Sequence, residues 1–247
     1  PNDPFTLSDP KEQAAVDALQ GEERTKALNE ARQKQWRNKC VSDTYYPGSV
    51  FKMVTASMGL EEGIISENTS FSCPGYYVVA DRRISCWKSG GHGSETFAQG
   101  LCNSCNPVFI QVGEKLGPET FFKYFEAFGF TQKTGIDLPG ESRSIYYDET
   151  MGPVELATES FGQNFSITPI QMITAAAAVA NGGYLVQPHV VAQVIDDEGN
   201  IVRTTDTTVK RQVISNETSR RVSAMLQETA TTGTAKNGYI AGYRVAG

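Results

Sequence analysis

No stretch of about twenty consecutive apolar residues occurs in the 247-residue chain, so none of these residues is expected to cross a membrane as a helix. The longest apolar run, residues 172–180, has the length of a buried helix. Basic charge is scarce as well: 22 lysines and arginines stand against 28 aspartates and glutamates, a net charge of −6. No segment clusters lysine and arginine as phosphate binding requires, which argues against a nucleic-acid partner. The short basic run at residues 32–39 reads as a solvated helix face. There is no signal peptide, and position 1 is proline, so the true N-terminus is expected upstream. Neither a repeat nor a low-complexity linker divides the chain, and a hydrophobic content of 39% is enough for a packed core. One domain over residues 1–247 is therefore expected.

Cysteine is sparse and odd in number, five in all, so at least one thiol is unpaired within the chain. Cys73, Cys86, Cys102 and Cys105 fall within 33 residues, with His92 among them. Two readings stay open. The cysteines are small buried residues, with one disulfide if the compartment is oxidising, or thiolates and imidazole together hold zinc, although the spacing is not that of a zinc finger. His92, flanked by glycines, reads as a loop histidine or as a ligand shared with Cys73 and Cys86. No motif asks for a cofactor.

Along the chain, residues 11–39 mix alanine and leucine with many charges and read as an exposed helix or helical pair interrupted at Gly21. Val50, Phe51, Val54 and Met58 recur at helical spacing, so residues 48–60 read as a buried helix begun by Pro47-Gly48. Residues 64–92 look irregular, with a short strand at 76–79. A short helix is expected from Thr96, a further one over 108–116 ended by Gly117-Pro118, and another over 120–128. Residues 136–141 form an extended turn, Thr168-Pro169 opens a helix through Ala180, and residues 184–194 and 201–205 flank a hairpin turn. A last helix spans 217–230, and residues 239–247 look like the approach to a strand.

Ser49 and Lys52 are the chemically informative pair. On a helix, positions i and i+3 share a face, so the Lys52 amine can approach the Ser49 hydroxyl. Serine is a poor nucleophile at neutral pH, and lysine acts as its base when desolvation lowers the amine's pKa, which a buried helix start supplies. The helix N-terminus also favours negative charge near Ser49.

With Ser49-x-x-Lys52 followed by Ser104-x-Asn106, the sequence resembles the transpeptidase domain of penicillin-binding proteins, the class B monofunctional kind. Within that class it is most similar to the division-related and sporulation-specific members of Firmicutes. Tyr46-Pro47-Gly48-Ser49-Val50-Phe51-Lys52 is similar to the family's nucleophile segment, with Tyr46 where an acidic residue is expected. Gly91-His92-Gly93 and Asn103-Ser104-Cys105-Asn106 resemble its second segment. Phe128-Gly129-Phe130, the stretch from Thr134 to Glu141, and Gly162-Gln163 with Thr168-Pro169-Ile170-Gln171 agree as well.

The family's third element, a Lys-Thr-Gly on a strand lining the cleft, has no match here. Lys133-Thr134-Gly135 spells it, but sits 27 residues after Asn106 and runs into a turn. Thr232-Gly233-Thr234-Ala235 lacks the lysine and runs into Lys236-Asn237-Gly238. In the family, a segment similar to residues 242–247 stands directly before the motif, so the chain is expected to be an internal fragment that stops just short of it. The fold the resemblance implies is the α/β penicillin-binding protein and serine β-lactamase-like one, with the helical lobe present and the central antiparallel sheet largely missing.

The resemblance further implies acyl transfer onto peptidoglycan stem peptides ending in D-Ala-D-Ala, on the outer side of the cell membrane, beside a glycan polymerase, with β-lactams as suicide substrates. Ser49 would attack, Lys52 would take its proton, Ser104 would relay a proton to the leaving amine, and Asn106 would hold substrate and orient Lys52. One oxyanion donor would be the Ser49 N–H and the other would come from the missing strand, so little activity is expected of these residues alone. Two other readings compete. A serine β-lactamase or β-lactam sensor needs, in one major class, a glutamate-activated water for which no segment is convincing. A non-catalytic wall-synthesis scaffold has no need of all four polar residues.

Overall fold

The computed structural model describes residues 3–247. Two helices come first, α1 (Pro10–Asp17) and α2 (Gly21–Trp36). The Asp9 side chain caps α1 by accepting from the Lys11 N–H, with Pro10 inside the first turn. As the charge pattern predicts, the pair is largely exposed, and Leu7, Val16 and Ala31 form a small core of their own. α3 (Lys39–Ser42) leads to a 3-10 turn, Gly48–Phe51, that passes directly into α4 (Lys52–Glu61).

α4 packs against α6, α8 and α9 (ranges below) and is the centre of the main core. Phe51, Val54, Ala56 and Met58 are fully buried. The Phe51 ring lies among those of Phe121, Phe125, Phe130 and Phe165, with centroids 4.8–6.2 Å apart, a spacing at which tilted aromatic pairs attract. Val50 departs from the expectation and is 51% exposed. The first turn has three residues per turn rather than 3.6, which carries Val50 off the buried face.

The segment read as irregular holds three short strands, β1 (Ser70–Cys73), β2 (Tyr76–Val79) and β3 (Arg82–Ser85), and a fourth follows, β4 (Gly93–Thr96). Thr96 then caps α5 (Phe97–Cys102) through a reciprocal pair of bonds with Gln99. α6 (Asn106–Ala127) joins two expected helices across a kink at Gly117-Pro118. α7 (Pro153–Glu159) has no counterpart in the sequence reading. α8 (Pro169–Ala180) begins where expected, because Thr168 and Gln171 form a second capping box.

The expected hairpin forms between β6 (Gln193–Ile195) and β7 (Ile201–Thr204), but its first strand is broken, and the earlier part, β5 (Tyr184–Val186), pairs instead with β8 (Val209–Gln212). α9 (Asn216–Thr231) completes the core, tied to α4 by Ser215, whose N–H and hydroxyl both donate to Glu61. A 3-10 turn, Lys236–Gly238, follows, and residues 239–247 run as irregular backbone with one turn at 241–242. All strands pair antiparallel in twos, β1–β4, β2–β3, β5–β8 and β6–β7. Among the described residues no larger sheet forms, so the architecture is α/β with a helical core and peripheral strand pairs, as expected of a partial fold.

Candidate active site

Ser49 sits in the exposed 3-10 turn before α4, and Lys52 begins the helix behind it with 1% of its surface accessible. Main-chain contact with another segment fixes the turn. The Gly48 N–H donates to the Gly162 carbonyl at 2.8 Å, and a Cβ on Gly162 would lie 2.0 Å from the Gly48 oxygen. Gly162 also has φ +85, so both the approach and the backbone conformation require glycine. Thr55, one turn further along α4, donates to the Ser160 carbonyl at 2.8 Å.

The structure brings all four expected site residues together around the Lys52 amine. Nζ lies 3.2 Å from Ser49 Oγ, 2.7 Å from the Ser104 carbonyl, 3.0 Å from Ser104 Oγ and 2.7 Å from Asn106 Oδ1. Burial pulls the Lys52 pKa down from the usual lysine range to about 8, against the opposing pull of the neighbouring sulfurs of Cys105 and Cys86. In the neutral form the amine has two N–H donors and one lone pair. The Ser104 carbonyl and the Asn106 amide oxygen accept but cannot donate, and each lies 2.7 Å away. The two N–H bonds are thereby taken, which leaves the lone pair for the hydroxyl proton of Ser49. That is the arrangement of a nucleophile with its base.

Ser104 and Asn106 reach Lys52 from the connection between α5 and the start of α6. Ser104 adopts φ +51, a left-handed conformation uncommon outside glycine. The turn is held by N–H bonds from Asn103 to the Gln99 carbonyl, from Ser104 to that of Leu101 and from Cys105 to that of Gly100. In front of Ser49 opens a cleft of about 240 Å³, bordered by Ser104, Val50, Met53, Leu226 and Thr229. Thr234 and Ala235, set aside in the sequence as loop residues, are indeed in turns, yet they also border this cleft. Lys133-Thr134-Gly135 is in no strand: the Thr134 N–H and hydroxyl donate to Glu141 at 2.6 and 2.7 Å.

Directly behind Ser104 lies the cysteine cluster. Ligand atoms of Cys73, Cys86, His92 and Cys105 all lie within 4.8 Å of one another, and all five cysteines of the chain carry free thiols. A tetrahedral zinc–thiolate site has edges of roughly 3.7 Å, given Zn–S bonds of about 2.3 Å. The four residues therefore need to close by about 1 Å to hold one. Cys86 Sγ is already 3.6 Å from His92 Nδ1. Burial pushes the Cys105 thiol up and the His92 imidazole down, so without a cation the neutral forms prevail. A divalent ion would reverse that for the thiols. Cys102, grouped with these cysteines in the sequence, is placed elsewhere, where its sulfur accepts from Thr229 Oγ1 at 3.7 Å. The glycines beside His92 are part of the geometry, since a Cβ on Gly91 would lie 2.1 Å from the Cys73 carbonyl.

Sequence reasoning missed Glu95 and Trp87 and gave Asn103, named only within the second segment, no role of its own; the three surround the Ser104 turn, where Asn103 Nδ2 donates to Glu95 Oε2 at 2.8 Å, and Trp87 Nε1 to the Asn103 carbonyl at 3.0 Å. No spacing rule marks them. A carboxylate in a strand of four residues gave no sign of being buried.

Known proteins resemble this chain in sequence and in fold. A family model of the penicillin-binding protein transpeptidase domain matches residues 5–247. Stage V sporulation protein D of Bacillus subtilis (strain 168) is 44% identical over 214 residues, which cover 85% of this chain and 33% of that protein. The chain thus spans about a third of the length of this relative. Among solved structures, the D,D-transpeptidase domain of a peptidoglycan glycosyltransferase from Eggerthella lenta is similar with a TM-score of 0.82 and 28% identity, over 90% of this chain and 58% of that one. Penicillin-binding protein 3 of Mycobacterium tuberculosis, complexed with aztreonam, is similar with a TM-score of 0.75 and 26% identity, over 89% of this chain and 48% of that one.

Proposed function

The chain belongs to the penicillin-binding protein transpeptidase family, and from that premise we propose that its parent protein is a serine-type peptidoglycan D,D-transpeptidase. Ser49 is the nucleophile, Lys52 its base, Ser104 the proton relay to the leaving amine, and Asn106 the residue that orients both Lys52 and the substrate amide. The observation that carries this reading is the convergence of Ser49, Ser104 and Asn106 on one buried, pKa-lowered amine. Ser49 attacks the carbonyl between the terminal D-alanines of a stem peptide, its proton passes to Lys52 Nζ, and the terminal D-alanine leaves as an amine. The amine of a neighbouring stem peptide then displaces Ser49 and forms the crosslink. The acyl-enzyme divides one difficult transfer into two easier ones.

A β-lactam stops at the first step, since its opened ring remains attached to Ser49. The complex of the tuberculosis relative with aztreonam supports this. The name of the B. subtilis relative supports a role in sporulation. We further propose that residues 1–247 are part of one transpeptidase domain on the outer side of the cell membrane, working beside a glycan polymerase. For the cysteine corner, the four converging ligand atoms support a structural zinc ion held by Cys73, Cys86, His92 and Cys105.

The test is labelling of the full-length protein with a fluorescent penicillin followed by intact-mass analysis. A stable adduct at Ser49, lost in Ser49→Ala, is expected. The acylation rate should rise with pH through about 8 as Lys52 loses its proton. Rapid release of hydrolysed β-lactam would replace this reading with a lactamase, and absence of any adduct would leave a scaffold.

A further inference from the structure

Glu95 is a buried acid beside the Ser104 turn for which the acyl-transfer mechanism has no use. It lies on β4, opposite Phe71 of β1, with 3% of its side chain accessible. Oε2 accepts from Asn103 Nδ2 at 2.8 Å. Oε1 has no well-formed hydrogen bond; it lies 3.9 Å from His92 Nδ1 and beside the Cys105 thiol, whose proton it helps to retain. Burying a carboxylate with one oxygen so poorly paired is unfavourable, and a neutral residue would fill the same space without that cost. What Glu95 gains in return is its grip on Asn103.

Asn103 is the residue before Ser104, and Ser104 holds a left-handed φ of +51 that a serine rarely adopts unconstrained. In that conformation its carbonyl and hydroxyl both face Lys52 Nζ, at 2.7 and 3.0 Å. If the turn relaxed to the right-handed region, the Ser104 carbonyl would swing away. The Lys52 amine would then lose the acceptor that turns its lone pair toward Ser49.

We infer that Glu95 is a positioning residue for acyl transfer, fixing the Asn103 side chain so that the left-handed Ser104 turn presents its carbonyl and hydroxyl to Lys52. The role rests on the transpeptidase reading and acts through Asn103, with no contact to substrate. Glu95 does not border the cleft in front of Ser49, so its effect belongs to the acylation step and not to substrate affinity.

A double-mutant cycle on the full-length protein tests it, with rate of acylation and affinity of the preceding non-covalent complex separated by stopped-flow labelling with a fluorescent penicillin. Glu95→Ala and Asn103→Ala should each slow acylation about tenfold, the loss of one hydrogen bond to a charged group, with non-covalent affinity unchanged. The double variant should be no slower than either single one, because both remove the same bond. Glu95→Gln, which keeps an acceptor oxygen for Asn103, should restore most of the rate. Wild-type rates in either alanine variant, additive losses in the double variant, or failure of Glu95→Gln to restore the rate would each overturn the positioning role. So would a loss of affinity equal to the loss of rate. Wild-type protein that forms no adduct would instead sink the transpeptidase reading itself, so the two failures are distinguishable.

Discussion

Two buried titratable residues show how one physical cause acts in opposite directions. Burial disfavours charge, so it draws the Lys52 pKa down from 10.5 and lifts that of Glu159 up from 4.5, both to about 8. The consequences differ because Lys52 is surrounded by acceptors, whereas both carboxyl oxygens of Glu159 lack partners. Glu159 ends α7, three residues before the Gly162 that meets the nucleophile turn. An acid whose folded pKa is raised binds its proton more tightly when folded. Its contribution to stability is complete below pH 4.5 and is lost as pH rises to about 8. The loss approaches about 5 kcal/mol, at roughly 1.4 kcal/mol per pH unit of displaced titration. Glu159→Gln should flatten the stability–pH curve between pH 4.5 and 8, as measured by denaturant unfolding at several pH values; a curve with the wild-type slope would mean that Glu159 is solvated. Ser49, Lys52, Ser104 and Asn106, which the structure brings together, stand out in the sequence because the proposed chemistry is tied to short spacings. Glu159 and Glu95 could not, since nothing in a sequence distinguishes a buried carboxylate from an exposed one.

At the scale of elements, the helices with local start signals were legible. α8 begins at Thr168-Pro169 because its capping box is complete within four residues, and α4 follows from its apolar spacing. The strands, three or four residues each, are too short to show alternation, and their pairing in twos depends on partners up to 28 positions away, as in Tyr184 opposite Gln212. Val50 marks the limit of the periodicity argument, since a 3-10 first turn changes the face of that residue alone. The same turn depends on an element far away in sequence. Gly162→Ala would place a Cβ 2.0 Å from the Gly48 oxygen in a left-handed backbone conformation. It should lower the melting temperature and slow β-lactam acylation at least tenfold, since misplacing a nucleophile by even 1 Å is costly. Gly63→Ala is the control. Its φ is +66, but a Cβ there meets open space, so it should carry the backbone cost of about 1 kcal/mol alone and leave acylation intact. Equal effects in the two variants would show that the contact between Gly162 and Gly48 does not govern the nucleophile.

For the molecule as a whole, the question is how segments scattered along the chain converge behind the Ser104 turn. Cys73 ends β1, Cys86 follows β3, His92 lies in the glycine loop before β4, and Cys105 directly precedes α6. Sequence proximity grouped Cys102 with them, but α5 carries Cys102 to the side facing α9, where it meets Thr229. The number of cysteines was legible, and their partition was not, because it is set by packing between elements. A zinc ion at this point would join four segments by bonds stronger than any hydrogen bond among them, and would hold Cys105, the neighbour of Ser104, in place. The full-length protein purified without chelators should contain one equivalent of zinc by elemental analysis. Stripping it should lower the melting temperature by roughly 10 °C or more, since a structural metal's binding energy is folding energy, and should reduce β-lactam acylation in parallel. Cys102→Ser should retain the metal, whereas Cys86→Ser should lose it. Protein that is free of metal as purified, takes up none on titration and melts at the same temperature with or without chelator would show that the four side chains serve as core packing alone.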